Sequence, residues 1–326
     1  METAVMFEGR EGDSEMWEQL SFLATPPLIS DWRMVVLFDV AAETGVLDAL
    51  PADPGEIGAR LGLDERAVRI VLDALAVWDL VASDSGRWFL GPGAPNADEA
   101  AVLHHHAGSL RMWNERIEDR LRGREPQPNR QPPRHLGRWL QALAVNARAS
   151  APAAVDACLA ARPQSKRVLD LGGGHGEYAL EFTRRGLQAT VQDRPEVIEL
   201  ARGDGRLPAE GVRLFAGDFF EVLADGPFDL VFCAGVAYTL DPARNVELWR
   251  RVRPVLAHEG MLAIHTFLRG RRPLAPIFAV QMLGVGTGGD THAEEDFREW
   301  LGAAGYGRVD VVHLDRDPES VLLVRA

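Results

Sequence analysis

The segment VLDLGGGHGEYALEF, Val168 to Phe182, constrains this chain more than any other stretch of it. A short apolar run reaches three consecutive glycines and then an amphipathic run, which reads as strand, bend and helix with nothing to spare between them. In that reading Gly172 makes the tight turn, while Gly174 and Gly176 let a ligand approach the main chain, because a residue without Cβ accepts positive φ and leaves room beside it. The following helix points its first N–H groups and the positive end of its dipole toward an anionic group. Asp170, at the strand end, suits a ligand's ammonium.

The pattern around this bend predicts the fold. Strands are expected at Arg167 to Leu171, Gln188 to Gln192, Val212 to Ala216, Phe228 to Cys233 and Met261 to Phe267, with helices at Glu177 to Arg185, Glu196 to Arg202, Pro242 to Ala257 and Ala293 to Ala304. Arg308 to Leu314 and Ser320 to Arg325 form a closing hairpin around DRDPE. Such alternation predicts an α/β, Rossmann-like domain over residues 161–326, its sheet mostly parallel with an antiparallel edge strand.

The amino-terminal part reads differently. Trp32 to Val40 is apolar nearly all round, so that helix is expected to be buried, against another subunit. Short helices opened by Pro54 and capped by Asp64, then a hairpin at Val81 to Ala82 and Trp88 to Leu90, predict a winged-helix dimerisation domain over residues 1–100. Residues 101–160 read as a helical connector interrupted by the proline-rich Glu125 to His135. Residues 1–100 hold 6 Arg and no Lys against 19 acidic residues, and this negative field disfavours nucleic acid.

Other classes fall away on composition. No apolar run is long enough for a membrane span, and the acidic start lacks a signal peptide's features, so a cytoplasmic protein is expected. Cys158 and Cys233 provide neither metal-ligand spacing nor a disulfide framework. His104, His105 and His106 are adjacent on a helix and point about 100° apart, so they cannot converge on one ion. No metal is expected. Lys166 is the only lysine, which disfavours Schiff-base chemistry.

Two further strand ends sharpen the ligand. Asp193 ends the second strand and can accept both ribose hydroxyls, with Arg194 beside it; Asp218 follows the third and can take an adenine amino group while Phe219 covers the ring. Ala234 ends the fourth. A dinucleotide fingerprint counted from Gly172 needs glycine or alanine where Glu177 stands, a poor neighbour for pyrophosphate. Three carboxylates at three successive strand ends suit S-adenosylmethionine instead.

The chain resembles the winged-helix O-methyltransferases of bacterial and plant type. The resemblance rests on LDLGGGHG, Asp193 to Ile198, GDFF at Gly217 to Phe220, AVQMLGVGTGGD and EEDFREWLGAAGY. It implies a class I methyltransferase fold, S-adenosylmethionine as cofactor, a homodimer, and hydroxylated aromatic or polyketide-like substrates. It also implies a histidine base just after the fourth strand, framed by two acids. This sequence has VAYTLDP there, with Tyr238 at the histidine position, His265 where one acid is usual, and Thr291 or His292 near the other. A tyrosine with an ordinary pKa near 10 donates better than it accepts, so His265 or His292 is the expected base. The expected chemistry is O-methylation. Carbon methylation, a non-methylating reaction on the same cofactor, and a ligand-binding regulator are the alternatives. Met112, Trp113, Asn146, Phe278 and Met282 are expected to line the substrate pocket.

Overall fold

A computed structural model describes residues 31–124, 133–315 and 317–325. Two compact units divide the chain, the first built from described residues 117–124 and 147–325, the second from 31–116 and 133–146.

The first unit is built on the expected alternation. Strands β3 (Arg167–Leu171), β4 (Gln188–Asp193), β5 (Arg213–Ala216), β6 (Phe228–Ala234), β7 (Leu256–Thr266), β8 (Arg308–His313) and β9 (Ser320–Arg325) form one sheet in the order β5-β4-β3-β6-β7-β9-β8. The pairs among β3 to β7 are parallel; β9 alone runs antiparallel, inserted between β7 and the edge strand β8, which runs in the direction of the others. Both faces are covered. Val168, Leu230, Phe232, Met261 and Ala263 pack with helix α6 (Glu177–Arg184) on one side. Leu169, Leu171, Val231, Leu262 and Ile264 pack on the other with α9 (Pro242–Val252) and α11 (Glu294–Ala303). This two-sided burial is why the strands read as continuous apolar runs rather than alternating ones.

Local chemistry sets the element ends. Asp241 accepts from the Arg244 amide and opens α9, and Gly176 at φ 74° opens α6 without a side-chain cap. The expected helix to Ala257 stops at Val252, because Pro254 cannot supply the next amide and the chain passes through a short 3-10 turn at Arg253–Val255. Strand β7 consequently begins at Leu256, five residues before the expected start, and its register against β6 shifts between Phe228 and Leu230. Helix α10 (Leu274–Val285) lies in a stretch for which no helix is expected from sequence. Its residues are apolar on every side, so no helical period marks it.

The second unit holds α1 (Trp32–Glu43), α2 (Pro54–Leu61), α3 (Glu65–Ala76) and the hairpin of β1 (Val81–Asp84) with β2 (Arg87–Leu90), and it takes in most of α4 (Ala97–Leu121) and the start of α5 (Pro133–Ala161). Asp53 and Glu56 form a reciprocal capping box on α2, and Gly62 ends it at φ 70°. Val68, Leu72 and Leu75 of α3 meet Val35, Phe38, Ile57 and Trp88 in one core. In the single chain Trp32 and Val40 of α1 stand 65% and 43% exposed. Residues 1–30 and most of the proline-rich segment lie outside the described residues. No described helix is long and apolar enough to cross a membrane.

One buried amide ties the ligand-facing end of the sheet together. Gln192, fully buried near the end of β4, donates through Nε2 to the carbonyls of Gly217 at 3.2 Å and Val222 at 2.7 Å, and its Oε1 accepts from the Ala224 amide at 2.9 Å. Gln192→Leu keeps the volume and strands those three main-chain groups, so it is expected to cost about 2–4 kcal/mol. A lowered urea midpoint with an unchanged slope would check this, and a shift under about 0.5 kcal/mol would refute it.

Candidate functional site

The bend after β3 is held from beneath. The Gly172 amide donates to the Gln192 carbonyl at 2.8 Å, the Gly174 amide to Asp193 Oδ2 at 2.9 Å, and the Gly176 amide to the Gly173 carbonyl at 2.7 Å. Gly172 must be glycine on two counts. Its φ is 72°, and a Cβ there would sit 2.5 Å from Val236 Cγ2. Gly176 is packed against Leu207 in the same way. Several loop amides therefore serve the loop's own shape, while the glycine surface stays open to close approach.

Asp170 lies under this bend, fully buried, with Oδ2 accepting from the Ala179 amide of α6 at 3.1 Å. Its Oδ1 is buried and makes no hydrogen bond. Burial pushes its carboxyl up to about 7, the Ala179 amide opposes that shift, and the nearby Asp193 charge adds to it. A buried carboxylate with one unmatched oxygen fits a cationic ligand group, whose charge would favour the ionised form.

The other two acids stand on neighbouring strand ends. Asp193 Oδ1 also accepts from the Arg194 amide at 2.7 Å, and burial raises its carboxyl. Arg194 itself is exposed and pairs with Glu196 at 3.1 Å. The Gly217 amide reaches the Asp193 carbonyl at 2.9 Å, which binds the ends of β4 and β5 and brings Asp218 alongside. Asp218 is exposed, with Oδ1 accepting from the Phe220 amide at 2.8 Å. The Phe219 ring edge would lie 3.9 Å from a Cβ on Gly172, and Arg251 fixes the Phe219 carbonyl at 3.0 Å. Asp170, Asp193, Asp218 and Phe219 thus stand at the carboxyl ends of three adjacent parallel strands, the usual ligand position in open α/β sheets. Ala234 ends β6 next to it and pairs in register with His265.

The three candidates for proton transfer have different immediate neighbours. Tyr238, on the 3-10 turn after β6, packs against Phe278 at 4.8 Å and Phe267 at 5.7 Å between ring centres. Its hydroxyl would lie 3.0 Å from a Cβ on Gly235, so glycine there leaves the phenol its place. Burial first, then the charges of Glu319 and Cys233, hold the Tyr238 hydroxyl well above its ordinary pKa, so it remains a donor. His265 is fully buried on the α6 side of the sheet, where Nδ1 meets the Tyr178 hydroxyl at 3.1 Å and Nε2 lies 3.2 Å from Asp317. Burial opposes its charge, yet Glu319 and Asp317 outweigh burial and raise its pKa. His292 stands on the opposite face, edge-on to Trp300 at 4.6 Å, and burial lowers its pKa.

The pocket candidates fall in both units. Phe278 joins Tyr238 and Phe267, and Met282 is buried on the same helix α10. Met112, Trp113 and Asn146 belong to the second unit, where Trp113 is 36% exposed. In that unit His104 meets the buried Asp39 at 2.6 Å and helps line a cavity of about 330 Å³ with Phe38, Leu47, Leu80, Arg138 and Gln141. His105 is half-buried, and desolvation together with its neighbours His106 and His104 lowers its pKa to about 3.

Sequence reasoning missed Gln192, Tyr178, Asp317 and Glu319. The two acids stand in DRDPE, which reads as a turn, and only the pairing of β9 with β7 carries them to His265. Their D-x-E spacing at a strand start is the one signal they leave.

The sequence profile of the O-methyltransferase domain matches residues 157–307. Acetylserotonin O-methyltransferase of Mus musculus is 31% identical over 153 residues, which cover 44% of this chain and 39% of that protein, so the chain spans about two fifths of the length of this curated relative. Among solved structures, mitomycin 7-O-methyltransferase MmcR superposes with a TM-score of 0.71 at 23% identity, covering 90% of this chain and 94% of the other. Human N-acetylserotonin methyltransferase, solved in complex with SAM, gives 0.68 at 21% identity, covering 90% and 94%. Those two likenesses establish the class I methyltransferase fold, and residues 157–307, which carry the glycine bend, match the profile of the O-methyltransferase domain.

Proposed function

We propose that this chain is an S-adenosylmethionine-dependent methyltransferase that acts on a small hydroxylated metabolite of aromatic or polyketide-like type, as a homodimer. The observation that carries the reading is the set of three carboxylates, Asp170, Asp193 and Asp218, on three adjacent strand ends around a bend that only glycine can form. The cofactor supplies an electrophilic methyl group on a positively charged sulfur. Asp170 compensates the ammonium of its amino-acid tail, Asp193 takes the ribose hydroxyls, and Asp218 with Phe219 takes the adenine. Similarity to proteins named for acetylserotonin and mitomycin methylation supports the substrate class.

The chain's own residues act mainly by positioning, which accounts for much of the barrier in such a displacement. Tyr238 keeps its proton and orients the substrate by donating a hydrogen bond. Both imidazoles have neighbours of their own: His265 Nδ1 meets the Tyr178 hydroxyl, and His292 packs edge-on to Trp300. With Tyr238 a donor and His265 Nδ1 already engaged by Tyr178, the nucleophile in this reading is a group that ionises without a protein base, such as an acidic phenol or enol. A carbon nucleophile, or a reaction in which the sulfonium acts only as a fixed charge, is the second reading, and the donor Tyr238 at the base position favours it. Product formed with no S-adenosylhomocysteine released would select the fixed-charge form.

Three outcomes are expected. With a series of phenols at saturating cofactor, so that Asp170 does not enter, kcat/KM should follow the ionised fraction of the substrate, and a pH profile that instead keeps one enzyme pKa near 6–7 across the series would restore a histidine base. Tyr238→Phe should lower kcat/KM about tenfold, the value of one lost hydrogen bond, with S-adenosylhomocysteine affinity held within twofold. Because Asp170 titrates at about 7 in the free chain and the ammonium favours its ionised form, cofactor affinity should rise about tenfold between pH 6 and pH 8. Asp170→Asn should flatten that slope in calorimetry; a slope that survives the substitution removes Asp170 from the site.

A further inference from the structure

Elsewhere in the first unit, three buried side chains converge where β7 meets the turn before β9. The antiparallel pairing of His265 with Val321 and Thr266 with Ser320 brings Asp317 and Glu319 against the His265 ring. All three are less than a tenth exposed. No arginine or lysine among the described residues acts on them.

Each of the first two residues has one polar atom tied down. His265 Nδ1 meets the Tyr178 hydroxyl at 3.1 Å, and Asp317 Oδ1 accepts from the Glu319 amide at 2.9 Å. The atoms left over are His265 Nε2, Asp317 Oδ2 and Glu319 Oε1, and each is buried without a hydrogen-bond partner. Nε2 and Oδ2 are only 3.2 Å apart, yet their directions do not make a hydrogen bond. Buried polar atoms left unmatched are costly, and three in one place require a common partner.

We propose that this cluster is a structural site for one first-row divalent cation of the zinc type, bound by His265 Nε2 and by one carboxylate oxygen each of Asp317 and Glu319. Ligand atoms about 2.0–2.1 Å from a tetrahedral zinc stand roughly 3.3 Å from one another, close to the observed spacing of Nε2 and Oδ2. The tied atoms supply the outer hydrogen bonds that orient metal ligands. Two carboxylates and a neutral imidazole balance a divalent charge, and the imidazole selects against magnesium and calcium, which take oxygen ligands. The second unit shows the opposite solution with the same residue types. There Asp39, Glu43 and His104 lie together, but Arg111 and Arg138 already bring the positive charge. A cation at His265 would clip β7 to the closing hairpin and, through Tyr178, to the first turn of α6.

The test is metal content of the full chain, expressed with zinc in the medium, desalted and measured by mass spectrometry. About one metal ion per chain is expected in the wild type, and no more than about a tenth in His265→Ala and in Glu319→Gln. The Glu319→Gln side chain is nearly isosteric, so it carries the test should His265→Ala fail to fold. Cobalt-grown protein should show the visible absorption of a low-symmetry four-coordinate ion, lost in the same variants. A wild-type chain with under a tenth of an ion, or variants that hold as much as the wild type, overturns the proposal and leaves protons or water as the partner of these atoms. Neither result depends on methyl transfer, which is read separately from cofactor binding.

Discussion

The hydrogen bond from the Gly172 amide to the Gln192 carbonyl is the contact around which the ligand-facing end is organised. It holds the bend after β3 against the end of β4, and the same glutamine uses its side chain to grip the loop that follows β5. A bend this tight leaves no volume for Cβ at Gly172, because Val236 from the loop after β6 already fills it. Three loops from three strands are therefore fixed relative to one another by main-chain groups and by one missing side chain. The carboxylates of Asp170, Asp193 and Asp218 can then vary in burial without losing their spacing.

That difference in burial matters chemically. Asp170 is fully enclosed and shifted toward neutrality, whereas Asp218 stands in solvent. Enclosure makes an unpaired carboxylate unstable and so makes it responsive to an incoming cation, while an exposed one only offers hydrogen bonds. One end of the sheet thus carries one acid shifted toward neutrality and another standing in solvent.

Much of this was legible in the chain itself. Strands buried on both faces leave continuous apolar runs, so β3 and β9 fall where their residues indicate, and the proline, aspartate and glycine at the ends of α2 and α3 mark those helices. Helix α10 was not legible, since a segment apolar on all sides has no period to read. Nor was the early start of β7, which depends on a register shift against β6 rather than on its own residues. The site divides along the same line. Asp170, Asp193 and Asp218 follow from strand ends, a local property. The surroundings of His265 follow from which strand lies next to β7, and no local pattern carries that.

The two histidines make the point in physical terms. His265 and His292 are the same residue type, and both titrate near neutrality when unperturbed. In a strand, alternate side chains point to opposite faces, so His265 shares the face of Met261 and Ala263 and is delivered to Tyr178, Asp317 and Glu319. There two carboxylates overcome the cost of enclosure and the ring holds its proton more tightly. His292 is delivered to the indole of Trp300, where enclosure dominates and the ring gives its proton up. Enclosure acts in the same direction on both, and the neighbours decide the sign. An imidazole near the end of a strand is therefore no evidence of a base until the face it occupies and the partners it meets there are known.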